Sequence, residues 1–304
     1  MELIKPGINL DFIGKRTIAI SLSVVILLIG FVSLLIKGGP NYGIDFAGGT
    51  LIQVQIHTET DAAEIKTAFK DVEMESVSVQ HFGDEGNEFL IRTPVSSDRE
   101  DLSEDVSTAL GNSFGEENFN VRRVEMVGPQ VGQELRKKGL LAIAYAMIGI
   151  LIYVTWRFEF RFALGAIIAL FHDVLITLGV FSLFNREIDL PIIAAFLAII
   201  GYSLNDTIIV YDRIRENRGR HSQQGFKAVV NRSINETLSR TVLTSGTSLL
   251  VVLSLFFLGG GVIHNFAFAL LIGILVGTYS SIFVASPVLV FWEDYKKSRP
   301  AETA

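Results

Sequence analysis

The sequence predicts an α-helical polytopic membrane protein with six transmembrane helices and an α+β ferredoxin-like domain inserted after the first helix. Three observations carry that prediction. Six stretches are long and apolar enough to cross a bilayer. One long polar segment separates the first stretch from the other five. Inside that segment the hydrophobic period switches repeatedly between 2 and 3.6 residues.

The apolar stretches lie near 17–36, 139–156, 162–184, 190–211, 240–258 and 264–291. They divide the chain into 1–36 (N-terminal segment and first helix), 37–138 (outer domain), 139–292 (five-helix membrane region) and 293–304 (tail). A hydrophobic content of 49 % and a mean hydropathy of +0.43 suit that division. The first apolar run is too long for a signal-peptide core and no small-residue cleavage site follows, so it reads as a retained anchor.

Orientation follows from Lys and Arg in the short flanks. With the N-terminus inside, Lys5, Lys15, Arg16, Arg157 and Arg161 face the cytosol. So do the basic residues of 212–236 and Lys296, Lys297 and Arg299. The two short outer loops hold only Arg186. Both termini are therefore expected in the cytosol and the large loop outside, which in a Gram-negative cell means the inner membrane and the periplasm. The Arg136–Lys137–Lys138 run opposes the bias, but a translocated domain tolerates it because the rule concerns short loops.

Several chemistries are excluded by composition. The chain has no Cys, so it offers no thiol nucleophile, disulfide or cysteine metal site. Its five His residues are scattered, without metal-ligand spacing. No Walker A sequence is present, so no ATP motor is expected.

The outer segment reads in a definite order. Thr50–His57 alternates as a strand, and Asp61–Val72 has Ala62, Ile65 and Phe69 at helical spacing with Thr60 as N-cap. Ser76–Phe82 and Glu88–Pro94 alternate as strands around a GDEGN turn at 83–87. Ser97–Phe114 is helical, and Asn118–Val127 is the last strand. Strand, helix, strand, strand, helix, strand is the ferredoxin-like order. With 10 Lys and Arg against 19 Asp and Glu the domain is acidic, a poor surface for nucleic acid or anionic lipid. The glycine-rich GIDFAGGT at 43–50 lacks phosphate-loop spacing and reads as a tight junction between membrane and domain.

The membrane spans carry ionisable groups that cost roughly 2.5–3.5 kcal/mol each to insert. His172 and Asp173 lie near the middle of the third span, Asn205, Asp206 and Thr207 in the fourth, and Arg240 heads the fifth. Asp206 lies six residues before Asp212, roughly 9 Å from the polar border at 1.5 Å per residue. The fifth helical pattern can begin as early as Lys227, which puts Arg240 at comparable depth on an antiparallel neighbour. A carboxylate and a guanidinium tolerate burial together better than apart. Protonating Asp206 would release Arg240, a two-state element. His172 and Asp173 project about 100° apart and cannot both face one partner squarely. Asp173 reads either as a relay group or as a helix–helix hydrogen-bond former. The candidate proton-relay residues are thus Asp206, Arg240, Asp173 and Asn205.

The stretches GIDFAGGT (43–50), VGPQVGQEL (127–135), FHDV (171–174), GYSLNDTIIVYDRIRE (201–216) and SINETLSRT (233–241) resemble the SecF family. That family is the smaller half of the SecDF accessory to the bacterial Sec translocon, and it is similar to the wider resistance-nodulation-division transporters. The likeness spans nearly the whole chain. It implies a transport protein, not an enzyme. Asp206 would be the essential proton carrier and Arg240 its partner. SecD and the SecYEG translocon would be the chief partners, with YajC and YidC as further ones. The outer domain would engage translocating polypeptide. No cofactor is implied beyond protons or, as an alternative coupling ion, sodium.

Two other readings stand beside it. A small-molecule exporter of the same superfamily would share the proton pair, but usually has larger outer domains in both halves of a long chain. An intramembrane aspartyl hydrolase could use Asp173 and Asp206, yet Arg240 beside Asp206 fits poorly with a dyad that shares one proton.

Overall fold

The computed structural model describes residues 8–69, 77–82, 87–93, 102–221 and 223–298. The long apolar helix α1 (Arg16–Ile36) leads to a single turn, α2 (Ile44–Ala47). The outer domain follows as β1 (Gly49–Ile56), α3 (Ala62–Ala68), β2 (Ser78–Phe82), β3 (Glu88–Thr93), α4 (Leu102–Phe114) and β4 (Phe119–Val127). The remaining helices are α5 (Pro129–Arg157), α6 (Phe160–Leu183), α7 (Leu190–Arg220), α8 (Phe226–Leu258), α9 (Gly260–Ser280) and α10 (Ser286–Ser298). Among the described residues six helical segments are long and apolar enough to span a membrane, α9 and α10 together forming the last.

The outer sheet is antiparallel throughout, in the order β2-β3-β1-β4. That is the strand order of the ferredoxin-like fold. Period 2 does the sorting: Ile52, Val54 and Ile56 of β1 and Phe89 and Ile91 of β3 are fully buried on one face. They pack against Ile65 and Phe69 at α3 and Val106 and Leu110 of α4. The N-cap of α3 differs from the expectation. Asp61, not Thr60, caps it, its Oδ1 accepting from Glu64 N at 2.8 Å, while Thr60 Oγ1 donates to the Glu64 side chain at 2.8 Å. Asp61 sits one residue nearer the helix, so its carboxylate reaches the third N–H directly. The expected turn at 83–87 and the first residues of the second helix lie largely outside the described residues.

The GIDFAGGT segment forms the joint between the two regions. Gly48 adopts φ +76°, and a Cβ there would stand 3.0 Å from Pro129 Cα. Across the joint, a Cβ on Gly132 would lie 3.1 Å from the Phe46 carbonyl oxygen. Glycine lets α2 and the first turn of α5 touch backbone to backbone.

Burial separates the membrane helices into two sets. Among span residues, 56 % are buried in α6, 44 % in α7 and 50 % in the last span, but only 17 % in each of α1, α5 and α8. The first set is the centre and the second its flanks. α1 meets α6 through small residues: a Cβ on Gly30 would stand 2.8 Å from Gly179 Cα, and Ser33 Oγ lies 2.8 Å from Ser182 Oγ. Close approach of small side chains is how helices associate where no hydrophobic gradient drives them together. Between α9 and α10 the helix widens into a π-turn at Ser281–Ala285, just before Pro287, which has no N–H to give to the carbonyl four residues back.

The outer domain is latched to the loop between α6 and α7. Arg92 of β3 pairs with Glu187, which is 7 % exposed. Burial pushes the Arg92 guanidinium down to about 10, so it stays charged at neutral pH. The loop also bridges to the domain's entry strand, Gly43 N donating to Ile188 O at 2.8 Å and Ile188 N to Asn41 O at 2.8 Å. Asp189 caps α7, its Oδ1 accepting from Ile192 N at 3.1 Å.

Two outcomes test this architecture. In the cysteine-free chain, a Ser33→Cys/Ser182→Cys pair should oxidise readily to a disulfide, seen as loss of both free thiols; persistent free thiols would disprove the α1–α6 contact. The second concerns Asp189, whose carboxyl is raised above the ordinary carboxylate range. Burial is the main cause, opposed by the Ile192 N–H, reinforced by Asp45 and opposed by Arg92. A raised folded-state value means stability is full while the group is protonated and is lost as pH rises through that value. Asn keeps the cap without the charge. Asp189→Asn should therefore melt at or above the wild-type temperature at pH 7, with the difference closing towards pH 4. A gap that widens on acidification would contradict it.

Candidate functional site in the membrane

Asp173 of α6 is the best-connected polar group in the bundle. It is fully buried, and its Oδ2 accepts from Ser203 Oγ of α7 at 2.5 Å and from Ser280 Oγ of α9 at 2.8 Å. Its Oδ1 lies 2.9 Å from His172 Nδ1, whose Nε2 lies 3.0 Å from Ser23 Oγ of α1. The imidazole also stacks on Tyr279 at 6.1 Å, and Tyr279 donates to the Ala19 carbonyl at 2.6 Å. One carboxylate thus joins α6, α7 and α9, and through His172 it reaches α1. The two neighbours face different helices, as their 100° separation requires, and the imidazole still reaches back to the carboxylate. The geometry is that of a helix–helix hydrogen-bond centre.

One turn further along α7 from Ser203 lies Asp206, also fully buried. Its environment is the reverse. Neither carboxylate oxygen has a hydrogen-bond partner among the described residues. Ser245 and Arg240 of α8 are the neighbours that bear on its charge. Ser245 Oγ is engaged with Thr278 Oγ1 of α9 at 2.7 Å, and next to Asp206 Thr207 Oγ1 lies 3.2 Å from Ser281 Oγ in the π-turn. Thr241 Oγ1 is likewise buried without a partner among the described residues.

The other sequence candidates are placed differently. Arg240 is exposed on α8 and makes no ion pair with Asp206 among the described residues; it acts on the carboxylate through its field, not by contact. Asn205 is exposed on the outer side of α7, away from the buried face that holds Asp206. It ends a stripe of small exposed residues, Ala194, Ala198 and Gly201, at the three- and four-residue spacing of one helix face. No hydrogen bond joins Asp173 to Asp206 among the described residues, so the pair lacks the shared proton of an aspartyl dyad.

Sequence reasoning missed Ser23, Ser280, Ser281 and Tyr279. The signal for three of them was available: Thr278–Tyr279–Ser280–Ser281 is a polar run inside an otherwise apolar span, and such runs face protein.

Comparison with known proteins agrees with this layout. The family described as protein export membrane protein SecD/SecF, C-terminal, matches residues 106–295, and the SecD/SecF GG motif matches residues 32–59, across the glycine joint. The protein translocase subunit SecF of Desulfurispirillum indicum is 46 % identical over 291 residues, covering 93 % of this chain and 91 % of that one. The subunit of the same name from Magnetococcus marinus is 47 % identical over 309 residues, covering 100 % and 99 %. The crystal structure of SecDF, a translocon-associated membrane protein from Thermus thermophilus, superposes with a TM-score of 0.87 at 36 % identity over 97 % of this chain. SecDF in a super-membrane-facing form gives 0.71 at 37 % identity. The chain spans only 40 % and 41 % of those two longer proteins. The chain belongs to the SecF family of protein-export membrane proteins.

Proposed function

We propose that the chain uses the proton gradient, together with SecD, to promote Sec-dependent translocation, with Asp206 as the proton-carrying group. The observation that carries this reading is the contrast between the two buried carboxylates. Asp173 has its acceptors filled by three donors, so a change in its protonation would break the junction of the central helices. Asp206 has no such partners among the described residues, so it can gain or lose a proton without dismantling the bundle.

In this mechanism protonation of Asp206 removes the charge that Arg240 balances. The guanidinium on exposed α8 is then free to move, and α8 with it. Thr207–Ser281 and Ser245–Thr278 keep α7, α8 and α9 in register around the carboxylate. Motion reaches the outer domain through α7 and the Arg92–Glu187 latch at its outer end. The outer domain would meet the translocating polypeptide. Sodium as the coupling ion is the alternative.

The exposed stripe Ala194, Ala198, Gly201 and Asn205 supports a SecD helix packed on α7, because small residues permit close approach and the Asn amide needs a partner away from lipid. SecYEG, YajC and YidC complete the proposed assembly. It sits in the inner membrane with both termini in the cytosol and residues 37–138 in the periplasm. The positive charge on the 212–236 segment and at Lys296 and Lys297 supports that orientation.

Two variants separate the roles of the carboxylates. Asp206→Asn is nearly isosteric but cannot lose a proton, so gradient-dependent secretion should fall to the level without the protein, while thermal stability and co-purification with SecD stay unchanged. Normal secretion by that variant at normal membrane abundance would remove Asp206 from the mechanism. Asp173→Ala should lower stability instead. Two interhelical hydrogen bonds, to Ser203 and Ser280, at about 0.6 kcal/mol each, the average within membranes, give a loss of about 1 kcal/mol. Unchanged unfolding of the purified variant would show that the junction is not what holds the helices.

A further inference from the structure

We propose that the end of the bundle formed by α6 and α10 holds the phosphate of an anionic phospholipid. A cavity of about 420 Å³ opens there between the start of α6 and the last turns of α10. It is lined by four cations, Arg161, Arg218, Lys296 and Lys297, against two carboxylates, Glu159 and Glu293. The balance is positive, as a phosphodiester requires.

Arg161 is what makes this a built site and not a solvated charge run. Its side chain is 8 % exposed. The guanidinium is held by Glu159 at 2.9 Å and Glu293 at 3.3 Å and lies over the rings of Phe162 and Phe226, while its Nε is buried without a partner among the described residues. A residue that serves topology alone is read in a solvated loop and needs neither burial nor a cavity. The two glutamates anchor Arg161 and leave the outward cations for a ligand. Arg218 is 4.0 Å from Glu159, Lys297 is 3.8 Å from Glu293, and Lys296 makes no ion pair among the described residues.

The surroundings identify the ligand as a lipid. Trp292 lines the cavity and is 37 % exposed, and it meets Phe160, 56 % exposed, edge to face at 6.4 Å. Indole and phenyl groups beside a basic cluster mark the level where headgroup meets acyl chain. A soluble phosphate would gain nothing from them.

The chain has two Trp residues, Trp156 and Trp292, so Trp156→Phe leaves a single reporter at the site. The full chain in nanodiscs is compared with equal mole fractions of phosphatidylglycerol or phosphatidylcholine carrying brominated acyl chains. Trp292 fluorescence should be quenched several-fold more by the brominated phosphatidylglycerol. Replacing Arg218, Lys296 and Lys297 together by Ala should bring the two lipids to near-equal quenching. Replacing Arg215, Arg220 and Lys227, an equal charge loss at the same end, should leave it intact. Equal quenching by the two lipids in the protein with all its cations overturns the proposal, as does an equal response of the two triple variants. Inorganic phosphate at millimolar concentration should not abolish the preference; if it does, the site belongs to soluble phosphate.

Discussion

The fold depends on one carboxylate having its partners inside a membrane. Without Asp173, Ser203 would lose its hydrogen-bond acceptor at the closest packing in the bundle, and Ser280 would keep only the Gly277 carbonyl of its own helix. With it, α6, α7 and α9 share a single buried junction, and His172 extends that junction to α1. In hydrocarbon no water can substitute for a missing partner, so such a junction fixes rotation and depth of all four helices together. The small-residue contacts that flank it, Gly30 on Gly179 and Gly277 on Ser203, are then possible only at one register. Apolar packing alone would allow the helices to slide.

That rigidity gives Asp206 its character. A buried acid in a loose bundle would draw in donors or water and settle. Here its neighbours are already committed: Ser245 to Thr278, Thr207 to Ser281, Ser203 to Asp173. Neither carboxylate oxygen has a hydrogen-bond partner among the described residues, and Ser245 and Arg240 of α8 are the neighbours that bear on its charge. In the proposed mechanism a buried carboxylate with no counter-charge in contact can change its protonation state without breaking an ion pair. The exposed positions of Arg240 and Asn205 have the same cause. They lie on faces that six helices alone do not cover, and an uncovered polar face within a membrane implies a second half.

The sequence made the architecture legible because its strongest signals were the ones that decide it. Hydropathy placed six spans, and period 2 against period 3.6 ordered the outer domain as β-α-β-β-α-β. Boundaries were less legible where a helix continues beyond the bilayer. α8 starts at Phe226, one residue before the Lys227 that its helical pattern allowed but fourteen before its apolar stretch, because its first turns are amphipathic: Val229, Val230, Ser233 and Ile234 are buried while Lys227 and Arg232 face out. The same applies to α5, whose Pro129–Lys138 turns are polar and precede its apolar stretch. Of the site, Asp206, Asp173 and Arg240 were legible as ionisable groups in spans, but their rotation was not. Whether a charge one helix away touches or only influences its partner depends on a few tens of degrees about the helix axis, and no residue pattern fixes that. Serines were the least visible, since a hydroxyl in a helix can satisfy itself on its own backbone, as Ser254 does on Leu250, and composition cannot tell that case from Ser203 on Asp173.

The remaining step joins the two ends of α7. At one end Asp189 caps the helix, Asp45 accepts from Leu190 N at 2.9 Å, and the preceding residues hold the outer domain through Arg92–Glu187. Four turns on lies Asp206. A helix transmits axial displacement because its hydrogen bonds run along it, so a shift near Asp206 appears at the cap with little loss. Glu187 of the latch is buried, and Arg92 is half-buried and charged at neutral pH. Such a pair is costly to break but gains little from small deformation, so it carries a load as a rigid strut. The outer domain is therefore positioned to follow α7, not to flex against it. The glycine joint at Gly48 and Gly132 is the other attachment, where backbone meets backbone and Phe46 packs beside it into the bundle core with Phe181 and Ile192. In the proposed mechanism a displaced α7 would reach the outer domain at Arg92, beside the backbone joint at Gly48 and Gly132.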